Sequence, residues 1–491
     1  MTTPRALLAE LFAAAVEGAA PFPSTRSAVQ AWFAAHPLVA TQTPVHVIAV
    51  GKAGTAMAAG AIDALNAMDR PIQSGLVVTS HAPTAAEQHG VLWPANIVVH
   101  CGDHPVPGPA SLDAADAIGD ALLEIEPGHV VVVLVSGGTT ALCAAPISAL
   151  TLAVGDADRA QAHIANLAQT LLESGLAIHE MNAIRRRILR WGAGRLAVAI
   201  AARGATHIPV FAISDVIGDD PAVIGSGPCS ADPLDDAAFL ALLDAHAMRG
   251  NLERAVGTTL GIEGQNPPPA VAPATHPAFS RVTYTLVARN QDAVAALAER
   301  ARALGIESVL VEPTPLEGDA ATLGDVLARR VVAMSQHAVG PTLIVCGGEP
   351  VVNLRATIER AMARGDDDDA SEDVGRGLRA ASADEPLRGG RMQVLALAAA
   401  LALEEAQAHG QRTASRITIL AAGTDGRDGP TDAAGAIVDA AVPALARRAG
   451  RSPEDDLATG RSWFPLHGAD ALLRTGPTGT NVMDVVAVLI A

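Results

Sequence analysis

The stretch "HVVVVLVSGG", residues 129–138, is the most apolar strand-like run of the chain, and it ends in two glycines. Valine and leucine fill it without the alternation of apolar and polar residues that is typical of a strand with one solvated face. The run therefore predicts a parallel strand covered by helices on both faces. The two glycines predict a loop in which backbone N–H groups can approach an anion closely.

Apolar runs of the same kind recur along the chain and are separated by glycine-containing turns and Ala-rich helical patterns. The runs lie at residues 45–54, 96–108, 207–220, 282–288, 308–313, 341–349, 416–423 and 482–490. Helical patterns in the later part occupy residues 290–304, 320–338 and 391–409. Strand, loop and helix repeated in this order predict a wound α/β sheet.

One segment, "GQNPPPAVAPATHP" at residues 264–277, interrupts this alternation. Three consecutive prolines cannot belong to a helix or a central strand, so the segment predicts a domain boundary. We expect two α/β domains, residues 1–275 and 276–491. Within the second domain, the acidic stretch at 365–386 has almost no large apolar residues, which predicts a mobile surface insertion.

Composition narrows the class of protein further. The 491 residues are 49% apolar and carry a formal net charge of −18. Such a chain is long enough for two or three cores, and it lacks the basic surface that nucleic-acid binding requires. A small anionic substrate remains compatible with this charge, because a few cations in a cleft outweigh distant surface charge.

The N-terminal stretch superficially resembles a signal peptide, but Glu10 and Glu17 interrupt it and its apolar residues recur at helical spacing. We expect an amphipathic helix there. The longest wholly apolar run, Val394 to Leu403, is far shorter than the roughly 18 residues of a membrane span. We therefore expect a cytoplasmic protein with no membrane partner. The four cysteines show no paired spacing, which favours free thiols over disulfides or a zinc site.

In wound α/β sheets, ligands bind beyond the carboxyl ends of the strands. Lys52 follows the first run and opens a helical pattern, where a cation suits a phosphate or a carboxylate. Ser136, Gly137 and Gly138 end the apolar strand quoted above. An ordinary surface lysine on a strand–helix loop is the alternative interpretation of Lys52.

A basic pattern at residues 179–197 is interpreted as a helix. Asn182 and Arg185 lie three residues apart in it and can share a face. A solvated basic face is the alternative interpretation.

The loop "SDVIGDDPAVIGSGP", residues 214–228, combines carboxylates with Gly225 and Gly227. Its Asp215 and Asp219 could hold magnesium directly or through water. Helix capping and turn formation are the alternative roles for these aspartates.

The second domain offers four further polar candidates beside glycine-rich turns. These are Glu349 in "CGGE", Arg391 in "RGGR", and Asp425 and Asp428 in "GTDGRDGPTDAAGA". Taken alone, Glu349 and Arg391 are interpreted as ordinary surface charges beside turns. The aspartates would serve either turns or a hydrated cation. Two nucleotide patterns are excluded: "GK" at 51–52 lacks the following Ser or Thr, and "GAGRLA" at 192–197 follows a basic helix instead of a strand.

Taken together and in this order, the motifs resemble the glycerate 2-kinase family, whose C-terminal half is called the MOFRL domain. Some members carry the older label hydroxypyruvate reductase. The motifs that carry the resemblance are "GKA", "HPVPG", "SGG", "HEMNAIRR", "SDVIGDDPAVIGSGP", "CGGE", "GGR" and "AGTDGRDGPTDAAGA".

The resemblance implies ATP-dependent phosphorylation of the C2 hydroxyl of D-glycerate, giving 2-phosphoglycerate and ADP, with Mg²⁺. It implies an N-terminal Rossmann-like wound sheet and a C-terminal MOFRL-type α/β domain, with the site in the cleft between them. The family's essential lysine matches Lys52 and its essential arginine matches Arg391. By the same resemblance, Asp425 and Asp428 face the cleft, and either of them is a candidate to accept the hydroxyl proton.

Several positions depart from the family pattern, and they leave two alternatives open. They are Thr139 and Thr140 in place of Gly and Ser, Pro350 in place of Thr, Met392 and Val394 in place of Asn and Glu, and Gly192 in place of Lys. One alternative is an NAD(P)H-dependent hydroxypyruvate reductase. The other is a non-catalytic relative that binds a sugar acid or a nucleotide. The sequence leaves the oligomeric state open, with a homodimer as one option.

Overall fold

The computed structural model describes residues 3–104, 106–147, 166–167, 170–171, 176, 178–256, 270–352 and 387–491. The acidic stretch 365–386 lies outside the described residues. The chain forms two compact units. The first unit is Ala20–Ala288, and the second unit combines the first 19 residues with Arg289–Ala491.

The boundary between the units differs from the expected one at residue 275 in two ways. Residues 282–288 form the sixth strand of the first sheet and pair with residues 208–213, so the first unit extends to Ala288. The N-terminal helix belongs to the second unit, where Gly18 fits so closely that a Cβ on it would lie 2.2 Å from the Cβ of Ala296. The local sequence pattern did not predict this boundary, because it does not show which distant segments of the chain pack together.

The first unit is a parallel sheet with helices around it. Its strands are β1 (Val45–Val50), β2 (Ile72–Thr79), β3 (Ile97–Cys101), β4 (Val130–Val135), β5 (Ile208–Ile213) and β6 (Val282–Ala288). With α1 (Pro4–Gly18) lying in the second unit, its helices are α2 (Pro21–Ala35), α3 (Gly54–Ala67), α4 (Pro109–Leu123), α5 (Thr139–Leu142), α6 (Ile178–Ile188), α7 (Arg195–Ala202), α8 (Asp236–Ala245) and α9 (Arg249–Val256).

The strand order of this sheet is β3-β2-β1-β4-β5-β6, and every pair is parallel. This is the order of a Rossmann-like doubly wound sheet, in which the direction of winding reverses between β1 and β4. Every residue of β1, β4 and β5 is buried. The prediction of parallel strands covered on both faces is confirmed for these three strands, whereas β3, the edge strand in the run at 96–108, is partly exposed.

The predicted basic helix at 179–197 is wrong in its extent. Helix α6 ends at Ile188 and α7 begins at Arg195. Between them, Ala193 and Gly194 have φ values of 53° and 76°, which an α-helix cannot contain. The turn separates the basic residues of α6 from the apolar helix α7.

The second unit has a mixed sheet. Its strands are β7 (Ser308–Val311), β8 (Thr342–Gly348), β9 (Ile417–Gly423), β10 (Gly435–Val438), β11 (Leu472–Leu473) and β12 (Asp484–Ile490), in the order β11-β10-β9-β12-β8-β7. Its helices after α1 are α10 (Asn290–Ala303), α11 (Ala320–Ser335), α12 (Arg391–Ala408), α13 (Val442–Arg448), α14 (Pro453–Ala458) and α15 (Trp463–Gly468).

Among these strands, β7 and β8 pair in parallel. The other four neighbouring pairs, β8–β12, β12–β9, β9–β10 and β10–β11, are antiparallel. The long helix α12 packs against α11, where a Cβ on Gly324 would lie 2.2 Å from the carbonyl oxygen of Leu395. The helical patterns predicted at 290–304, 320–338 and 391–409 are confirmed to within a few residues.

The stretch Pro4–Ala35 is the one part of the described chain that is long and apolar enough to pass a membrane-span test. The structure divides it into α1 and α2, which begin at Pro4 and Pro21. Leu8, Leu11 and Phe12 of α1 are buried inside the second unit. The predicted amphipathic helix is therefore present as α1.

All four cysteines are free thiols. Cys101 is exposed, whereas Cys143, Cys229 and Cys346 are buried. Burial raises the pKa of each buried thiol to about 12, so these three groups stay protonated at neutral pH.

A chain of polar side chains crosses the amino ends of β1, β2 and β4. The buried imidazole of His46 bonds through Nδ1 to Ser74 Oγ at 2.8 Å and through Nε2 to His129 Nδ1 at 2.9 Å. Burial first, and then the charge of His129, lowers the pKa of His46 to about 4, against a smaller opposing effect of Glu124. His46 is therefore neutral in the folded protein at pH 7.

This lowered pKa predicts a loss of stability in mild acid. The unfolded chain takes up a proton at His46 near pH 6.5, whereas the folded chain does so only near pH 4. Stability from His46 is complete above pH 6.5 and falls as the pH drops toward 4, by roughly 3 kcal/mol in total. Urea unfolding of the wild type and of His46→Gln at pH 7.5 and pH 4.5 measures this loss. An equal pH dependence in both proteins would contradict the assignment.

Candidate active site

The loop that joins β1 to α3 meets the loop after β4 at the point where the winding of the first sheet reverses. The backbone N–H of Lys52 donates to the carbonyl of Gly137 at 2.9 Å, and the N–H of Ala53 donates to Ser136 Oγ at 3.1 Å. Gly51 has a φ of 135°, and a Cβ there would lie 2.1 Å from Ser136 Oγ. The two loops thus approach as closely as a glycine allows.

Lys52 is the only lysine among the 34 Lys and Arg residues of the chain, a compositional signal that motif spacing does not carry. A Cβ built on Gly138 would lie 3.1 Å from Lys52 Cγ and 3.2 Å from His104 Cδ2, so both side chains converge on this glycine. Burial first, and then the charge of Lys52, lowers the pKa of His104 to about 4. A neutral imidazole therefore lies beside the lysine at pH 7.

Thr139 and Thr140, which depart from the family pattern, take part in hydrogen bonds that tie the loops together. Thr139 Oγ1 donates to the carbonyls of Val50 at 2.8 Å and Ser136 at 2.7 Å. Thr140 Oγ1 lies 2.8 Å from Ser226 Oγ in the loop after β5. The sequence-predicted glycines of that loop, Gly225 and Gly227, have φ values of 59° and 60°. Both departures leave the loop framework intact.

Asp215 and Asp219, the two aspartates predicted to hold magnesium, lie in the same loop, after the carboxyl end of β5. Asp219 has a φ of 55°, while Asp220 Oδ1 accepts from the N–H of Ala222 at 2.9 Å in a local turn. Among the residues that the structure describes, no three His, Cys, Asp or Glu side chains form a group that could hold a metal ion. The protein alone therefore presents no closed metal cage in these parts of the chain.

The three consecutive arginines of α6 have different surroundings. Arg186 and Arg187 are buried and share Asp232 at 3.0 and 2.6 Å, and Arg187 also binds Asp236 at 2.7 Å. These two arginines hold α6 to the loop that precedes α8. Arg185, which was predicted as a ligand-binding residue together with Asn182, is partly buried, and burial lowers its pKa. In the described ranges, no carboxylate forms an ion pair with Arg185.

In the second unit, Arg391 is the first residue of α12 and lies between two carboxylates. Its Nε donates to Asp484 Oδ2 at 2.5 Å, and its Nη2 lies 3.3 Å from Asp484 Oδ1. Its Nη1 donates to Glu349 Oε1 at 2.9 Å. Burial lowers the pKa of Arg391, but the charges and hydrogen bonds of Asp484 and Glu349 together raise it by more, so the guanidinium stays charged.

Asp484 is the site residue that the sequence interpretation missed, because "VMDVVAVLI" has the pattern of a strand. As the first residue of β12 it is paired with Gly348 of β8 and Gly423 of β9. A Cβ on Gly423 would lie 3.2 Å from Asp484 Oδ1 and 3.3 Å from Asp425 Oδ1. The glycine-rich turns thus bring Asp484 and Asp425 to one place beside Arg391.

Asp428, a predicted site residue, serves as a buried cap for α12. Its two carboxylate oxygens accept from the backbone N–H groups of Met392 at 3.1 Å and Gln393 at 2.7 Å. Burial raises the pKa of Asp428 to about 6 against the opposing effect of these two hydrogen bonds. The carboxylate therefore stabilises the helix N-terminus that presents Arg391.

The departures at Met392 and Val394 concern the interior of the second unit. Both side chains are buried, at 0% and 4% exposure. Between them, Gln393 donates from Nε2 to Thr431 Oγ1 at 2.8 Å. Apolar residues at 392 and 394 therefore fill the core, while Gln393 keeps α12 attached to the Asp428 loop.

Comparisons with known proteins agree on one family. Residues 7–261 match the family described as "Domain of unknown function (DUF4147)", and residues 379–484 match the MOFRL family. A protein of Agrobacterium vitis with the provisional name hydroxypyruvate reductase is 34% identical over 90% of this chain and 86% of its own length. The D-glycerate 2-kinase of Thermotoga maritima is 28% identical over 91% of this chain and 90% of its own. The crystal structure of a Thermotoga maritima glycerate kinase aligns with a TM-score of 0.71 and 25% identity over 99% of each chain.

The close approach at Gly51 predicts a stability effect that a second glycine can calibrate. Gly51 and Gly128 both have positive φ values, but a Cβ on Gly128 would meet no atom within 4 Å. We expect Gly128→Ala to lower the free energy of unfolding by about 1 kcal/mol through strain alone. Gly51→Ala should lower it by roughly 2 kcal/mol more, because Ser136 must move. Urea unfolding measures both, and equal losses would show that the loop contact is not tight.

Proposed function

The chain belongs to the glycerate 2-kinase family that carries a MOFRL domain, and we propose that it phosphorylates glycerate. In full, the proposed reaction transfers the γ-phosphoryl group of ATP to the C2 hydroxyl of D-glycerate, with Mg²⁺, and yields 2-phosphoglycerate and ADP. The proposal includes a cytoplasmic location and a small-molecule substrate with ATP as its partners. The name of the Thermotoga maritima relative supports both the D configuration and position 2.

The observation that carries this proposal is the position of Lys52. It lies where β1 and β4 diverge, which is where ligands bind in sheets of this order. Its neighbours are the Gly137–Gly138 turn and the N-terminus of α3, and both favour an anion. A chain that uses arginine for every other basic residue keeps one lysine here, as suits a compact point charge on a phosphate.

Phosphoryl transfer asks little covalent chemistry of a protein, since catalysis comes from in-line positioning and from cations around the developing charge. Lys52 would hold phosphate oxygens together with the N–H groups of Gly137 and Gly138 and the hydroxyl of Ser136. The turn that contains Gly225 and Gly227 would offer further backbone donors. Asn182 and Arg185 would bind an anionic or hydroxyl group of a substrate.

In the second unit, Arg391 would stabilise charge on the transferred group, as the family resemblance implies. Of the two carboxylates considered for accepting the hydroxyl proton, Asp425 is better supported. Both oxygens of Asp428 are already engaged with backbone N–H groups, whereas Asp425 Oδ1 accepts one N–H, that of Arg427 at 3.0 Å. Glu349, which accepts from Arg391 Nη1, would lie beside the bound ligand.

The donor set fits a magnesium ion that arrives with a nucleotide. Mg²⁺ in such enzymes is held by one or two carboxylates, water and substrate phosphates, so a cage of three protein ligands is not needed. Asp215 and Asp219 follow β5 at the same edge of the sheet as Lys52 and would hold it. The ion would neutralise phosphate charge during transfer.

Reduction of hydroxypyruvate is a second candidate, and the provisional name of the Agrobacterium vitis relative supports it. A nicotinamide cofactor would need a dinucleotide fingerprint after β1, where this chain has "GKAG". Incubation with hydroxypyruvate and NADH or NADPH tests this activity by the loss of absorbance at the wavelength of the reduced cofactor. Rapid cofactor oxidation without ATP would replace the kinase proposal.

Removing either cation should impair turnover strongly. We expect Lys52→Ala and Arg391→Ala each to lower kcat/KM at least about 100-fold, which is roughly 3 kcal/mol of transition-state stabilisation. A coupled ADP assay with D-glycerate measures this, and a product assay distinguishes 2- from 3-phosphoglycerate. Arg329→Ala, which removes an exposed arginine paired with Asp325 and Glu405, is the control for loss of a cation.

Near-normal turnover in Lys52→Ala or Arg391→Ala would remove that residue from the mechanism. Binding of ATP without ADP formation from any hydroxy acid would support the non-catalytic alternative instead.

A further inference from the structure

The two carboxylates that bind Arg391 differ in burial and in geometry. The side chain of Asp484 is 4% exposed and engages the guanidinium along its Nε–Nη2 edge. The side chain of Glu349 is 36% exposed and makes a single bond to Nη1. A bidentate contact fixes the orientation of a planar guanidinium, whereas a single contact at an exposed atom does not.

The backbone around Asp484 is held from several sides. Asn290 Nδ2 donates to the carbonyl of Val482 at 2.8 Å and to that of Asp484 at 2.9 Å. Thr424 Oγ1 donates to the carbonyl of Met483 at 2.6 Å and accepts from the N–H of Val482 at 2.9 Å. The backbone of Asp484 therefore cannot move away from Arg391 without breaking these bonds, and the buried side chain is held by its two contacts with the guanidinium.

Glu349 is held less tightly. Its backbone N–H donates to the carbonyl of Leu316 at 2.9 Å, which fixes the main chain at the end of β8. Within the described ranges, its carboxylate is bonded to Arg391 alone. Rotation of this side chain would break one charge-assisted hydrogen bond and free Nη1 of Arg391.

The charges of the group favour such an exchange. Burial raises the pKa of Asp484, and the charge and hydrogen bonds of Arg391 oppose this rise. The bidentate contact at 2.5 and 3.3 Å is that of a carboxylate on a guanidinium. With Asp484 ionised, one arginine and two carboxylates sum to a negative charge, so an incoming anion is repelled while Glu349 stays in place. After Glu349 leaves, Arg391 and Asp484 are neutral as a pair, and an anionic group can take the vacated position on Nη1. The guanidinium keeps its orientation throughout, because Asp484 binds its other edge.

We propose that Asp484 is the fixed positioning residue of Arg391 and that Glu349 is an exchangeable partner, which an anionic group of a substrate displaces from Nη1. This inference rests on the proposed role of Arg391 in phosphoryl transfer. The anionic group is a phosphate of the nucleotide or the carboxylate of the hydroxy acid, and the two sources are separable by experiment.

Glu349→Gln and Asp484→Asn should affect the kinetics in different ways. Glu349→Gln removes the competing charge and should lower KM about threefold to tenfold for the substrate whose anion displaces Glu349, ATP or D-glycerate. Asp484→Asn leaves Arg391 charged but poorly oriented, so kcat should fall at least about tenfold while both KM values change less than about threefold.

Two matched controls separate these effects from the effect of neutralising any carboxylate that is paired with an arginine. Glu312→Gln removes a partly exposed carboxylate from Arg330, a pair joined at 2.6 Å. Asp456→Asn disrupts a buried bidentate pair with Arg451, joined at 2.9 and 2.6 Å, which uses the same Nε–Nη2 edge. Asp456→Asn should lower the melting temperature about as much as Asp484→Asn but leave kcat unchanged.

Unaltered or raised KM values for both substrates in Glu349→Gln would overturn the exchange. A normal kcat in Asp484→Asn, or an equal loss in Asp456→Asn, would overturn the positioning role.

Calorimetry with inorganic phosphate tests the exchange without turnover. Phosphate should bind Glu349→Gln about threefold to tenfold more tightly than the wild type if the displacing group is a phosphate. Adding Arg391→Ala to Glu349→Gln should abolish the gain. If Arg391→Ala alone leaves catalysis intact, the proposed role of Arg391 in the reaction is wrong. If Arg391→Ala abolishes catalysis but Glu349→Gln changes neither KM nor phosphate binding, only the proposed exchange is wrong.

Discussion

Complete burial of the central strands governs where polar chemistry can lie in the first unit. No residue of β1, β4 or β5 is exposed, so an unpaired charged side chain within them would lose its hydration without compensation. Polar groups are therefore collected at the strand ends. At the carboxyl ends they include Lys52, Ser136 and the β5 loop. At the amino ends they form the chain of hydrogen bonds through His46, which satisfies each buried ring nitrogen.

In the second unit, a partly buried charge likewise needs partners, and Arg391 is paired with Asp484 and Glu349. Arg391 lies at the positive end of α12, and the carboxylates of Asp484 and Glu349, with that of the helix cap Asp428, offset this charge. Arg186 and Arg187 of the first unit show the other use of such contacts, because they are buried against Asp232 and serve to hold helices together. What distinguishes Arg391 is that its own side chain is 33% exposed, whereas those of Arg186 and Arg187 are 5% and 0% exposed.

The sequence predicted the elements well and the long-range pairings poorly. Continuous apolar runs identified the strands except β2, β10 and β11, and Lys52, Ser136 and Glu349 follow strand ends as predicted. Arg391 instead begins a helix. Asp484 was missed because it belongs to the site only through its contact with Arg391, which lies 93 residues earlier in the chain. Asp428 was predicted as a site residue, but an aspartate in a sequence can be either a helix cap or a ligand-facing carboxylate, and the sequence alone does not distinguish the two. The domain boundary was misplaced because β6 finds its partner in β5, across a proline-rich segment that looks like a linker.

The single lysine has a practical consequence for following this protein in solution. A lysine-specific endoprotease has one bond to cut in the whole chain, the one between Lys52 and Ala53, which lies inside the tight loop that joins β1 to α3. Cleavage into two fragments therefore reports directly on the opening of that loop. The rate at which the intact band disappears on a gel becomes a measure of local motion at one defined place, without any label.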